Sequence, residues 1–183
     1  MEKLKENNRQ FVSERLEHDP SYFHQLKQGQ HPDYFVLSCS DSRVCPSVIT
    51  KMPLGNLFSH RNVGNQVSEN DESFRSSLYF ALKVLKVKKI LIIGHTGCSG
   101  VKFALEDHID DEVVGWINQI KASLPKERTR QLSLEKLAEI NVIAQTKNLK
   151  KHPLYLKYGE RVTVIGCLFH VESGDLEILE NED

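Results

Sequence analysis

The chain has 183 residues, enough for one domain that buries a core without disulfide support. Its 24 basic and 25 acidic residues leave a formal charge of −1, so no global field recruits nucleic acid or an anionic membrane. Hydrophobic residues make up 39%, and no run is apolar enough or long enough to span a bilayer. A membrane-spanning protein, a disordered tail and a generic polyanion binder are excluded or disfavoured; an enzyme or small-ligand domain remains.

The N-terminal segment is polar, lacks the apolar centre of a signal peptide and carries too many acids for a typical transit peptide, so a cytoplasmic protein is expected. Leu4, Phe11, Val12 and Leu16 fall on one face of a first helix whose other faces are charged. A short second helix is punctuated by Asp19 as N-cap, Pro20 at the first helical position and Gly29 past its end. Three near-continuous apolar runs, Tyr34–Cys39, Lys89–Gly94 and Arg161–Phe169, read as strands covered on both faces, as in a parallel sheet. A shorter strand is expected around Leu57–His60. Phe74, Leu78, Ala81, Leu82 and Leu85 repeat at helical spacing, and further helices are expected at about 100–107, 111–123 and 132–150. Ser173-Gly174-Asp175 is a turn into a last strand, Leu176–Leu179. This alternation predicts an α/β fold with a mainly parallel central sheet flanked by helices. It forms a single domain over 1–183, with an N-terminal helical arm (1–30) and an α/β core (31–183).

Two of the apolar runs end alike, in Cys39-Ser40-Asp41-Ser42-Arg43 and in Gly94-His95-Thr96-Gly97-Cys98. Carboxyl ends of parallel strands are where open α/β sheets place their ligands. His95 and Cys98 converge from one turn, and Cys39 arrives from another strand. Two thiolates and an imidazole make a three-ligand set, and an open fourth position is what separates catalytic from structural zinc. His-x-x-Cys alone is a weak signal, and a lone Cys at a strand end is more often packing; the paired strand-end motifs change those odds. Four scattered cysteines are no disulfide scaffold, and Cys45 and Cys167 read as small core or near-surface residues. The basic clusters at Lys86-Val87-Lys88-Lys89 and Lys147–Lys151 read as solvated helix ends.

The two strand-end motifs resemble the signatures of the β-class carbonic anhydrases. Between them, His60-Arg61-Asn62-Val63-Gly64-Asn65 is similar to that family's Arg-Asn-x-x-Asn element. Asn8-Arg9-x-Phe11-Val12 and Asp19-Pro20-x-Tyr22-Phe23 match its N-terminal helices; Asn141-Val142 and the Gly166 strand with Ser173-Gly174-Asp175 match its closing segment. The likeness runs over most of the chain.

The resemblance implies the β-carbonic anhydrase fold and the reversible hydration of carbon dioxide to bicarbonate and a proton. It implies Zn2+ held by Cys39, His95 and Cys98. Asp41, paired with Arg43, would orient the zinc-bound hydroxide, and Asp41 would be a fourth ligand only in a closed state. Open-site members carry a glutamine where this chain has Gln30, which implies an amide donor to a substrate oxygen; otherwise Gln30 is an exposed loop residue. Phe58, Val63 and Phe80 align with residues lining the carbon dioxide pocket, partly from a neighbouring subunit; without the resemblance all three are ordinary core. A homodimer or a tetramer of dimers is implied, with the helical arm embracing a partner chain, and no nucleic-acid or membrane partner.

Two departures stand out. The family usually continues Cys-Gly-Gly where this chain has Cys98-Ser99-Gly100, and a local shift is expected where backbones approach closely. Plant members carry a proton-shuttle histidine where this chain has Val84, leaving His60 and His108 as candidates. The rival functions are a carbonyl sulfide or carbon disulfide hydrolase on the same scaffold and a non-catalytic zinc-binding regulatory domain. Asp41, Arg43 and Gln30 argue against the last, because a structural site needs a fourth ligand and no pocket.

Overall fold

A computed structural model describes residues 1–127 and 129–179. The chain divides into two compact units, residues 1–31 and the remainder from Pro32. The first unit holds α1 (Glu2–His18) and α2 (Tyr22–Leu26). Phe23 meets both Phe11 and Tyr22 edge-on, at 6.1 and 5.1 Å between ring centroids, and the Arg15 guanidinium lies over Phe11. No residue of α1 is buried. The second helix starts later than its sequence predicts. The Asp19 carboxylate accepts from the Ser21 backbone N–H and hydroxyl at 2.8 and 2.7 Å, which makes Pro20-Ser21 a turn of its own ahead of the helix.

The second unit is built on a five-stranded sheet, β1 (Tyr34–Cys39), β2 (Leu57–Asn62), β3 (Lys89–His95), β4 (Thr163–Phe169) and β5 (Leu176–Leu179), in the order β2-β1-β3-β4-β5. The first four strands are parallel, and β5 returns antiparallel to β4 after the turn at Ser173-Gly174-Asp175. The apolar runs are strands because both sheet faces are covered: Phe35 and Leu37 of β1 join a cluster with Phe74, Leu78, Ile92 and Val142, while Val36 between them packs with Val44, Ile93 and Phe169 on the other face.

The helices of this unit are α3 (Pro46–Ile49), α4 (Glu72–Tyr79), α5 (Ser99–Phe103), α6 (Val114–Ala122), α7 (Leu134–Lys151) and α8 (Pro153–Tyr158). Asp71 caps α4 by accepting from the Phe74 N–H, and Ser133 caps α7 by accepting from that of Lys136. The helix expected across Phe74–Leu85 changes to π-helical turns over Phe80–Leu85 and stops at Lys86, in the left-handed region. The helices expected at 100–107 and 111–123 are both shorter than predicted, since the segment Glu106-Asp107-His108-Ile109-Asp110-Asp111-Glu112 crowds like charges, and the Asp110 side chain binds the Glu112 N–H instead of the helix ladder. Among the described residues, no helix is long and apolar enough to cross a membrane.

Candidate metal centre

β1 and β3 are parallel neighbours, so their carboxyl ends lie side by side, and they deliver Cys39 and His95 to one place. The turn Thr96-Gly97 then brings Cys98 back to the first residue ahead of α5. The two sulfurs are 3.9 Å apart, and the ligand atoms of Cys39, His95 and Cys98 all lie within 4.8 Å of one another. All three residues are buried.

His95 Nδ1 lies 2.9 Å from the Thr96 carbonyl oxygen, which orients the ring. Its Nε2 is buried without a hydrogen-bond partner. An orphaned imidazole nitrogen aimed at two sulfurs is a misfit for a plain core and a fit for a borderline-soft cation held by two sulfurs and one nitrogen. The electrostatics agree. The hydrogen bond from Cys98 above all, then His95 and the Gly64 N–H, hold the Cys39 thiol well below its usual range despite burial. The Cys98 thiol is pushed up by the same contact with Cys39 and by burial. One thiolate forms readily; a bound dication is what lets both ionise.

Asp41 stands beside this cluster, held by Arg43. The guanidinium donates to both carboxylate oxygens, Nε to Oδ1 at 2.9 Å and Nη2 to Oδ2 at 2.8 Å, and the Arg43 backbone N–H adds a third bond. That side-chain pairing, ahead of every other influence, keeps the Asp41 carboxyl far below the usual carboxylate range. Asp41 Oδ2 sits 3.7 Å from His95 Nε2. Arg61 ties down the loop from behind, donating to the carbonyls of Cys39 and Asp41 at 3.0 and 2.8 Å.

A hollow of about 310 Å³ opens over these groups, walled by Cys39, Asp41, Arg43, Val63, Ser99 and Gly100. A more apolar hollow adjoins it, with Phe103, Val113 and Trp116 in its wall. Of the three expected pocket residues, one chain brings only Val63 here. Phe58 packs on Phe35 in the sheet's core, at 6.1 Å between centroids, and Phe80 is half exposed on a separate hollow with Tyr79 and Leu154. Gln30 belongs to the first unit, exposed in the segment after α2. His60 lies 3.2 Å from the Ser77 hydroxyl, His108 is exposed, and neither lines the hollow. The Ser99 side chain is exposed, and close approach falls one residue later, where a Cβ on Gly100 would lie 2.8 Å from Val63. Cys167 is buried, with its thiol pushed up to about 11 by burial, and Cys45 is partly buried.

Two features escaped sequence reasoning. Thr96, between two of the candidate ligands, donates its hydroxyl to Glu172 at 2.7 Å. Gln66, Asn141 and Gln145 form a buried amide network behind the loop after β2. The one available signal was Asn141 and Gln145 at i, i+4 spacing among the apolar residues of α7.

A sequence model of the carbonic anhydrase family matches residues 34–176. This chain belongs to the carbonic anhydrase family. Its similarity to a carbonic anhydrase of Candida albicans is 36% identity over 95% of this chain and 66% of the relative's length. The fold is that of the β class. It superposes on a β-carbonic anhydrase of Aspergillus fumigatus with a TM-score of 0.92 at 29% identity, covering 100% of this chain and 91% of that one. A tetrameric β-carbonic anhydrase of Sordaria macrospora gives 0.87 at 29% identity, over 97% and 95% of the two chains. The enzyme class is therefore carbonic anhydrase, and the reaction is the hydration of carbon dioxide.

Proposed function

We propose that this carbonic anhydrase is zinc-dependent, with Cys39, His95 and Cys98 as the protein ligands, and that it works in the cytoplasm as a homodimer or a tetramer of dimers. The observation that carries the metal is the buried, unpartnered Nε2 of His95 converging on two sulfurs beside a carboxylate that Arg43 holds. When bound, zinc would supply Lewis acidity that brings the ionisation of a coordinated water to a pKa of about 7.

The chain's own residues do the rest. Asp41, ionised across the neutral range, can only accept, so it would accept a hydrogen bond from the attacking oxygen, which keeps its proton, and so orient a lone pair of that oxygen toward carbon dioxide. Arg43 fixes the angle of that acceptor and keeps Asp41 from becoming a fourth ligand. Val63 and the adjoining apolar wall suit a small uncharged substrate. Gln30 carries over from the resemblance as the amide donor to a substrate oxygen, and Phe58 and Phe80 as pocket residues that a neighbouring subunit completes. Assembly is supported by the tetrameric Sordaria neighbour and by the exposed apolar side chains of this chain. The relatives named above are all carbonic anhydrases, which lends no support to a hydrolase of carbonyl sulfide or carbon disulfide or to a regulatory domain.

The test is metal analysis with a carbon dioxide hydration trace. About one zinc per chain is expected, lost in Cys39→Ser, His95→Ala and Cys98→Ser together with activity. Full occupancy in all three variants would sink the assignment. Gln30→Ala should raise KM more than it lowers kcat, and an unchanged KM removes Gln30 from the site.

A further inference from the structure

Gly64 follows β2 with a φ of +76°, a left-handed conformation that favours glycine, and a Cβ there would press on the end of the Ile120 side chain at 2.9 Å. Its N–H points at Cys39 Sγ, 3.5 Å away. The two peptide planes flanking Gly64 are both held from outside the loop. In the plane that carries this N–H, the Val63 carbonyl accepts from the Trp116 indole Nε1 at 2.8 Å. In the next plane, the Gly64 carbonyl accepts from Asn141 Nδ2 at 3.0 Å and from Gln66 Nε2 at 2.6 Å. With both planes held, the dihedrals of Gly64 are restrained. The Trp116 bond also polarises the same amide whose N–H meets the sulfur, so the two bonds strengthen each other.

We propose that Trp116 and Asn141 are positioning residues for the metal centre, fixing the planes on either side of Gly64 so that its N–H donates to the Cys39 thiolate. The proposal rests on the zinc reading above. A donor on a ligating thiolate draws negative charge off the sulfur and limits its movement, which preserves the Lewis acidity of the ion it holds and the geometry of the site. Trp116 thereby acts through a peptide group, and Asn141 through the next one. Gln145 is the internal contrast. It donates to Ser123, Gln66 and Asn141 and accepts from the Val67 N–H, yet it touches neither plane at Gly64.

The experiment loads the purified full-length protein with Co2+ and reads the thiolate-to-cobalt charge-transfer band, alongside zinc affinity by chelator competition and thermal unfolding. Trp116→Phe removes the N–H and keeps an aromatic, though smaller, side chain at that position. The expected result is a band moved to lower energy, zinc affinity reduced about tenfold or more, and little change in Tm. Asn141→Leu should move the band the same way, with Asn141→Ser as the milder variant should the leucine fail to fold. Gln145→Met should lower Tm and leave the band in place. The proposal is overturned if the band stays put in both Trp116→Phe and the folded Asn141 variant, or if Gln145→Met moves it as far. Wild-type protein that takes up neither Co2+ nor Zn2+ brings down the zinc reading and this inference with it, whereas metal uptake with unmoved bands removes the inference alone.

Discussion

Asp41 and Arg43 are adjacent in function because one cannot hold its geometry without the other. Asp41→Asn keeps the shape of the side chain and loses its obligate acceptor character, so zinc should stay and hydration should fall about a hundredfold or more. Arg43→Ala leaves the carboxylate, whose Oδ2 is already 3.7 Å from His95 Nε2, free to swing onto the metal and exclude water. The two variants should fail differently: the first as an open but slow site, the second as a closed one in which Asp41 ligates the metal. Near wild-type rates in both would make the pair merely structural. The depressed pKa of Asp41 also fixes the pH profile. Asp41 does not titrate between pH 6 and 9, and Arg43 holds it, so hydration should decline gradually toward acid along a single ionisation. A steep, cooperative loss would show the closing switch instead. The candidate ligands Cys39 and His95 were legible because each ends an apolar strand with a chemically odd residue, and Cys98 because it follows His95 at His-x-x-Cys spacing. The resemblance placed Phe58 and Phe80 in the pocket and apolar burial alone placed them in the core. In one chain both lie away from Cys39, His95 and Cys98, and the sequence does not separate the two readings because pocket and core draw on the same apolar side chains.

At the junction of α4 and α8, two histidines flank one ring. His60 and His152 approach Phe74 edge-on, at 5.6 and 5.8 Å between centroids, and the Nε2 of each is buried without a hydrogen-bond partner. Burial lowers both pKa values. Asp71, 3.8 Å away, opposes this at His60; at His152, Glu69 opposes it and Arg75 adds to it. With folded pKa values below unfolded ones, the unfolded chain binds more protons, so these residues cost stability as pH falls below about 6.5. His60→Asn/His152→Asn should therefore flatten the loss of Tm between pH 7 and 5 relative to wild type, by a few degrees. Parallel curves would show that the two rings accept protons in the fold. Secondary structure at this scale was legible where packing dictates pattern: strands covered on both faces, helices with a single apolar stripe. It failed where local chemistry intervened, at the acidic run after α5, at the π-helical turns following α4 and at the Asp19 turn before α2. The amide network on α7 was missed for a different reason, since Asn141 and Gln145 at i, i+4 spacing in a helix read as a solvated stripe until a loop is seen burying them.

At the scale of the molecule, several large apolar side chains are left uncovered. Phe80, Val84 and Phe103 are each at least half exposed, and Val63 at the site is nearly so. The N-terminal unit poses the same problem more sharply. Helix α1 runs 17 residues without burying one, Leu4 stays 65% exposed, and Leu16 on the same stripe is exposed too. An isolated helix of that length is marginal in water, so its stability must come from packing its apolar stripe against something. On the proposed assembly, a second copy of the chain would cover apolar surface of each unit and supply the pocket residues that one chain leaves away from Cys39, His95 and Cys98. Light scattering should then give a dimer or a multiple of it for the full chain. Deleting residues 1–17 should give monomer or aggregate with hydration lost, even where each chain keeps Cys39, His95 and Cys98. Zinc content measured on the same sample separates the two causes of inactivity, because the ligands all come from one chain and loading should survive the truncation. A soluble, active monomer after that deletion would mean that a single chain completes its own site and that the exposed apolar side chains serve something else.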